Sequence, residues 1–397
     1  MTIDSIRYAS RFDGISGSAI REIFKLLAVP GMISFAGGNP AASALPDEAC
    51  AELARELLLE KGKTLLQYGA TEGYGPLRES LAPYLKDRFS FTCAPDEILP
   101  VTGSTQAMDL LCKALIDPGD KVVVENPTFL GNMQAIRLYQ AQLVPVDSDD
   151  DGIRTDELEE VFKKEHPKML YVIPTFQNPT GRTLSLARRR KIAELAAQYG
   201  VVIAEDDPYR DLRYTGEELP AIKSFDTEGW VAFMGSFSKV ISPGLRVGFL
   251  AANKTLLRKC TIGKQSSDVH TANLNQAIVD AYLRRDLLAP HVQRICLSYA
   301  EQMNTMLGLL AKCGGVARYI RPQGGLFIFA ELNDGMDAGK LLTACVDRGV
   351  AYVPGTHFYA FGGHENTFRL NFSMSSVEQI KQGMEKLNDV FTASMRS

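Results

Sequence analysis

Lys239 stands in the run Gly235-Ser236-Phe237-Ser238-Lys239, directly behind the apolar stretch 230–234. A lysine among small hydroxyl residues at the end of a buried strand is expected to be semi-buried, and burial disfavours its ammonium form. The neutral amine adds to aldehydes, which makes Lys239 a candidate Schiff-base nucleophile. A lone lysine at a strand end is more often a surface residue, so its partners decide the reading. Arg246, seven residues on in Gly244-Leu245-Arg246, brings a guanidinium near Lys239, Ser236 and Ser238. Such a cation lowers the lysine pKa, and the arginine with the two hydroxyls can complete a phosphate cage.

Further groups suit the same ligand. Val101-Thr102-Gly103-Ser104-Thr105-Gln106-Ala107 reads as a strand end opening into a helix. The glycine, the Ser104 and Thr105 hydroxyls and the free N–H groups there make a seat for phosphate, although the same residues also form an ordinary N-cap. The pattern G-x-G-x-x-G is missing, which makes a nicotinamide-dependent oxidoreductase the lesser reading. Asn178-Pro179-Thr180-Gly181 is a turn by composition, and its Asn178 amide can donate to an aromatic oxygen. Glu205-Asp206-Asp207-Pro208-Tyr209 follows an apolar strand, where three acids are costly without partners. Asp206 can face a protonated ring nitrogen, and Tyr209 can share a phenolate oxygen with Asn178. Glu205 and Asp207 are expected as solvated loop residues. Arg369 in Phe368-Arg369-Leu370-Asn371-Phe372 is a charge on an apolar strand, and a substrate carboxylate held by both guanidinium arms would be its counter-ion. A phosphate seat, a ring-nitrogen carboxylate, phenolate donors and an imine lysine together describe pyridoxal 5′-phosphate, which a protein binds, orients and tunes.

These residues need a scaffold that collects them. Short apolar runs at 121–125, 142–146, 169–173, 201–205 and 231–234 alternate with helical patterns such as 186–198. That alternation predicts an α/β fold with a mainly parallel central sheet flanked by helices, whose ligands sit beyond the carboxyl ends of the strands. Residues 274–313 read as a long connecting helix with one break at Pro290. Beyond it, strands near 319–320, 326–330, 350–353 and 368–372 and a helix at 338–347 fit a smaller α+β domain. The expected division is a large domain at 46–286 and a small one built from 1–45 and 287–397, with a short N-terminal helix at 18–27.

At 397 residues the chain is long enough for two ordinary domains. The formal net charge of −4 offers no general attraction to nucleic acid or anionic membranes. No apolar run spans a bilayer, and the N-terminus lacks the apolar core of a signal peptide. Seven cysteines without a C-x-x-C pair read as reduced thiols of a cytoplasmic protein. The five histidines show no ligand spacing, so no metal is expected, and they read as ordinary surface or loop residues.

With these motifs in this order, the whole chain resembles the fold-type I aminotransferases of class I/II. It is most similar to the branch holding 2-aminoadipate, kynurenine and aromatic or branched-chain aminotransferases. The resemblance implies that Lys239 bonds the cofactor and shuttles the proton, that Asp206 partners the pyridinium, and that Asn178 and Tyr209 donate to the phenolate oxygen. It makes Gly103, Ser104, Thr105, Ser236, Ser238 and Arg246 the phosphate site, and Phe129 the ring that stacks on the pyridine. Arg369 and Asn178, with backbone at Gly38, match the clamp for the substrate α-carboxylate. Tyr68 matches a tyrosine that reaches the phosphate of a neighbouring subunit, which implies a homodimer with shared active sites. The implied reaction is ping-pong transfer of an amino group from an L-amino acid to a 2-oxo acid, with 2-oxoglutarate as the expected acceptor. A lyase on the same fold (a carbon–sulfur β-lyase or a decarboxylase) would use the same cofactor residues, and an amino-acid-sensing regulator is a third reading. Arg21 is a candidate partner for a distal substrate carboxylate or a solvated helix residue. Tyr74, Phe35, Phe176 and Phe358 are candidates for an apolar side-chain pocket or plain core.

Overall fold

The computed structural model describes residues 6–13, 15 and 31–395. In chain order its strands are β1 (Ile33–Ser34), β2 (Ile98–Val101), β3 (Lys121–Asn126), β4 (Gln142–Asp149), β5 (Gly152–Ile153), β6 (Met169–Val172), β7 (Val202–Asp206), β8 (Val231–Ser236), β9 (Gly248–Ala251), β10 (Val316–Tyr319), β11 (Phe327–Leu332), β12 (Val350–Ala351), β13 (Val353–Pro354) and β14 (Thr367–Asn371). Eight of them form one sheet in the order β2-β9-β8-β7-β6-β3-β4-β5. Strands β8, β7, β6, β3 and β4 run parallel, while β9 lies antiparallel to both β2 and β8. The expectation of an α/β fold around a mainly parallel sheet is met.

Both faces of this sheet are buried, which is why its strands are continuous apolar runs. Val122, Val124, Met169, Tyr171 and Ala204 point into one core, and their neighbours Val123, Leu170, Val172 and Ile203 into the other. The first core is dense in aromatic rings around Phe233, whose centroid lies 4.8 Å from Phe89, 5.1 Å from Phe91 and 6.1 Å from Phe249. Gly235 sits opposite Phe249 in the ladder. A Cβ there would lie 2.1 Å from the Phe249 ring, so this position is small for packing reasons.

A four-stranded antiparallel sheet, β10-β11-β14-β13, carries Arg369 at the middle of β14. The stretch 350–353, expected as one strand, is two: β12 pairs with β1 and β13 with β14. The long helix is also divided, into Asn273–Arg284 and Leu288–Leu310, with Asp286 at φ 53° between them. Pro290 therefore lies in the first turn of the second helix, where its missing N–H breaks no hydrogen bond. His291, expected at the surface, is buried in that helix, and burial followed by repulsion from Arg294 lowers its pKa to about 4. All seven cysteines are free thiols, five of them buried. Among the described residues no helix is long and apolar enough to cross a membrane, and no group of three or more potential ligands could hold a metal.

Phe233→Ala removes the ring at the centre of the aromatic cluster. It should destabilise the fold by about 3–5 kcal/mol, read as a lowered midpoint in chemical denaturation.

Candidate active site

The parallel strands deliver their functional side chains at their carboxyl ends. β2 leads to Gly103–Thr105, β3 to Phe129, β6 to Asn178, β7 to Asp206 and Tyr209, and β8 to Lys239. A cavity of about 370 Å³ collects Gly38, Ser104, Thr105, Phe129, Asn178, Asp206, Tyr209, Ser236, Ser238, Lys239, Arg246 and Arg369. A larger groove of about 1000 Å³ between the helices Gly75–Phe89 and Leu288–Leu310 contains none of them. Tyr68 is absent from the cavity and 81% exposed. Arg21 and the helix expected at 18–27 lie outside the described residues.

Lys239 sits in the loop that joins β8 to β9. The residue is half-buried, and its Nζ donates to the Gly38 carbonyl at 2.8 Å. Burial, and then the Arg369 and Arg246 cations, bring the ammonium down to about 8, with Asp206 opposing them. A substantial fraction of this amine is therefore unprotonated at pH values where a free lysine is fully charged.

The phosphate-type seat is built from three backbone segments. Gly103 caps the helix Ser104–Leu115 with φ 82°, and no side chain satisfies the N–H groups of its first turn. Arg246, itself at φ 54°, lays its Nη2 3.1 Å from the Thr102 carbonyl. A Cβ on Gly103 would meet that Nη2 at 2.4 Å, and one on Gly248 would press on the Gly103–Ser104 backbone at 3.1 Å. Gly103 is thus favoured by conformation as well as clearance, and Gly248 by clearance alone. Ser236 and Ser238 complete the rim, linked Oγ to Oγ at 3.0 Å. Underneath, fully buried Lys264 pairs with Asp268 at 2.9 Å and donates to Gln106 Oε1 at 2.7 Å, while the Thr102 hydroxyl donates to Asp268 at 2.9 Å. This brace went unseen in the sequence, because Lys264 lies in an otherwise ordinary amphipathic helix.

Asp206 is buried, and its Oδ2 accepts from Tyr171 (2.9 Å) and Asn132 (3.1 Å). Its Oδ1 is buried and has no hydrogen-bond partner. Burial raises this carboxyl to about 7, with Asp207 adding to the shift and the Tyr171, Asn132 and Lys239 interactions opposing it. Tyr171 and Asn132 were missed because neither spacing nor residue type sets them apart from core positions. Glu205 and Asp207 correct an expectation: both are buried. The chain returns over the strand end as the turn Ile222–Phe225, so that Glu205 accepts from the Ile222 and Lys223 N–H groups at 2.7 and 2.9 Å. Asp207 accepts from Thr175 at 2.9 Å and is held beside Arg210 and Arg189.

Asn178 links two sides of the cavity. Its Nδ2 donates weakly to the Tyr209 hydroxyl at 3.4 Å, and its Oδ1 accepts from Arg369 Nη1 at 2.8 Å. Arg369 also donates to the Ala36 carbonyl at 2.8 Å and lies 4.2 Å from the Phe327 ring centroid and 4.9 Å from that of Phe358. Its Nε is buried without a partner. Among the described residues no carboxylate pairs with it, and burial lowers its pKa to about 10. Phe129 closes the cavity, its ring folded over Gly131, where a Cβ would stand 2.6 Å away. Phe35, Phe176 and Phe358 are fully buried core, outside the cavity lining, as is half-buried Tyr74.

Bare Asp206 Oδ1, the uncapped helix turn and the depressed amine match in turn a protonated ring nitrogen, a phosphate and an aldehyde. The residues present fit pyridoxal 5′-phosphate.

Comparison with known proteins agrees. The sequence pattern of the family "Aminotransferase class I and II" matches residues 30–387. An aromatic-amino-acid aminotransferase of Thermococcus litoralis is 39% identical, over 100% of this chain and 96% of its own length. The structure of Pyrococcus horikoshii kynurenine aminotransferase superposes with a TM-score of 0.94 at 36% identity, covering 98% of both chains. That of the α-aminoadipate aminotransferase LysN of Thermus thermophilus, complexed with N-(5′-phosphopyridoxyl)-L-leucine, gives 0.91 at 38% identity, also over 98% of both. The chain belongs to the class I and II aminotransferases; it is a pyridoxal 5′-phosphate-dependent aminotransferase of fold type I.

Two outcomes follow from the site. Lys239 has a lower pKa folded, about 8, than its ordinary value of 10.5. The folded apoprotein therefore holds less charge there between those values, and borohydride-trapped adduct formation with pyridoxal phosphate should rise with pH through a midpoint near 8. A midpoint above 10 would contradict the geometry. Gly103→Ala should displace Arg246 and weaken cofactor binding about tenfold or more, an estimate equal to the loss of about one charge-assisted hydrogen bond, measured by equilibrium titration.

Proposed function

We propose that Lys239, Asp206 and Arg369 carry amino-group transfer from an L-amino acid to a 2-oxo acid in the 370 Å³ cavity. The observation behind this reading is a depressed amine, a buried carboxylate and an unpaired guanidinium converging on one space. Bound there, the cofactor supplies a ring that withdraws electrons from the substrate α-carbon. Lys239 acts as the general base, taking the α-proton and returning it at the neighbouring position. Asp206 holds a negative charge opposite the ring nitrogen. Tyr209 and Asn178 donate toward the ring's phenolic oxygen, and Phe129 stacks on its face. Ser104, Thr105, Ser236, Ser238 and Arg246 hold the phosphate with the backbone N–H groups behind Gly103. Arg369, kept flat by Asn178 and Phe327, receives the substrate carboxylate bidentately, with Gly38 backbone beside it.

The donor class we propose is aromatic, branched-chain or 2-aminoadipate, and the acceptor 2-oxoglutarate. Support comes from the relatives' substrates; the absence of a further cation lining the cavity among the described residues favours the aromatic and branched-chain donors in particular. Arg21 is the proposed contact for a distal carboxylate. The working form is a homodimer, favoured by the exposed apolar side chains Leu59, Leu66 and Tyr68 within ten residues of one another, and its proposed place is the cytoplasm, in keeping with seven free thiols. Tyr68 would then complete the partner's phosphate site. We keep the division at 46–286, with 1–45 and 287–397 as the smaller unit; the pairing of β1 with β12 favours it.

Lys239→Ala should abolish turnover and the yellow colour of the bound cofactor. In single-turnover mixing with amino acid alone, the unaltered enzyme should stop after one equivalent per site. Continued product release would instead establish a lyase.

A further inference from the structure

Asp206 lines the cavity, and which of its oxygens is left without a partner is set by what holds the other one. Tyr171 and Asn132 both donate to Oδ2, and neither lines the cavity. Tyr171 pairs with Ala204 across β6 and β7, two positions before Asp206. Its phenol therefore lies on the same sheet face and spans the diagonal, a distance aromatic side chains can bridge. Asn132 comes from the first turn of the helix Leu130–Leu138, directly after Phe129. Its amide makes this bond from a 1% exposed position, while its own oxygen has no partner.

We infer that Tyr171 and Asn132 are positioning residues for the reaction: by donating to one oxygen of Asp206 they aim the other at the cofactor's ring nitrogen and keep the negative charge there. The inference rests on the reading that Asp206 faces that nitrogen. The donors' neutrality is the point. A lysine or arginine in their place would also keep Asp206 ionised, but it would neutralise the charge that has to hold a proton on the ring. A phenol and an amide stabilise the carboxylate while leaving its charge available. The other charged groups near Asp206 are Asp207, Lys239 and Glu125. Asp207 opposes its ionisation and Lys239 favours it, while Asp206 in turn raises Glu125; the neutral donors offset the cost of burial and of Asp207. Tyr171 stays a donor at every working pH, since burial and the adjacent carboxylate push its ionisation far up.

The test uses holoenzyme reconstituted with pyridoxal phosphate carrying nitrogen-15 in the ring, with the ring-nitrogen resonance read by NMR. Tyr171→Phe and Asn132→Leu each delete one donor and keep the side-chain shape. Each should move the resonance toward that of an unprotonated pyridine. Each should lower kcat about ten- to hundredfold, the equivalent of one hydrogen bond to a charged group, with little change in KM for the amino acid. A residue whose loss leaves the resonance at the unaltered enzyme's position is not a positioning residue, whatever happens to the rate. If Tyr171→Phe does not fold, Asn132→Leu alone decides. Asp206→Asn checks the underlying reading separately: an unmoved resonance there would mean that the ring nitrogen lies elsewhere, and that reading rather than this inference would fail.

Discussion

A carboxylate buried at the end of β7, with one oxygen held twice and the other bare, is the constraint around which the site is organised. Placing an anion there is unfavourable without compensation. The compensation inside the protein is partial: Tyr171 and Asn132 satisfy Oδ2, and Lys239 favours the ionised form through its charge. What remains is a buried oxygen without a donor, which the proposed contact with the cofactor's ring nitrogen would satisfy. The fold meets the requirement because parallel strands place β6 and β7 side by side, so that a phenol from one reaches a carboxylate on the other.

The same cavity is unbalanced in charge. Lys239, Arg246 and Arg369 line it against Asp206 as the one carboxylate among the described lining residues. Mutual repulsion among the cations, added to burial, makes Lys239 an available nucleophile. The surplus positive charge also suits a ligand that brings a phosphate at one end and meets a carboxylate-bearing substrate at the other. The two demands meet in one arrangement: the cations that attract the anions are those that free the amine.

Clearance matters as much as charge. Gly103 and Gly248 let the Arg246 loop, the β2 turn and the helix Ser104–Leu115 approach to backbone contact, and Gly131 lets Phe129 fold over its own helix. Lys264 and Asp268 brace this turn from below through Thr102 and Gln106. The site is therefore a set of chain turns clamped together.

Local chemistry made much of this legible from the chain alone. Lys239, Asp206, Asn178, Tyr209, Arg246 and Arg369 each break a local pattern, as a charge, amide or phenol where an apolar run ends or passes, and such breaks show wherever strands are read. The alternation of apolar runs with helices likewise determined the sheet class. Tyr171, Asn132 and Lys264 break nothing: in sequence they are an aromatic in a strand and polar residues in helices, and only the register of β6 on β7 and the packing of helices under the phosphate turn give them partners. The burial of Glu205 and Asp207 was decided in the same way, by a loop that returns over the strand end and presents its N–H groups to Glu205, and by Arg210 and the helix residue Arg189, which stand beside Asp207. Residue type shows which groups need a partner, while long-range contact decides which partner they receive.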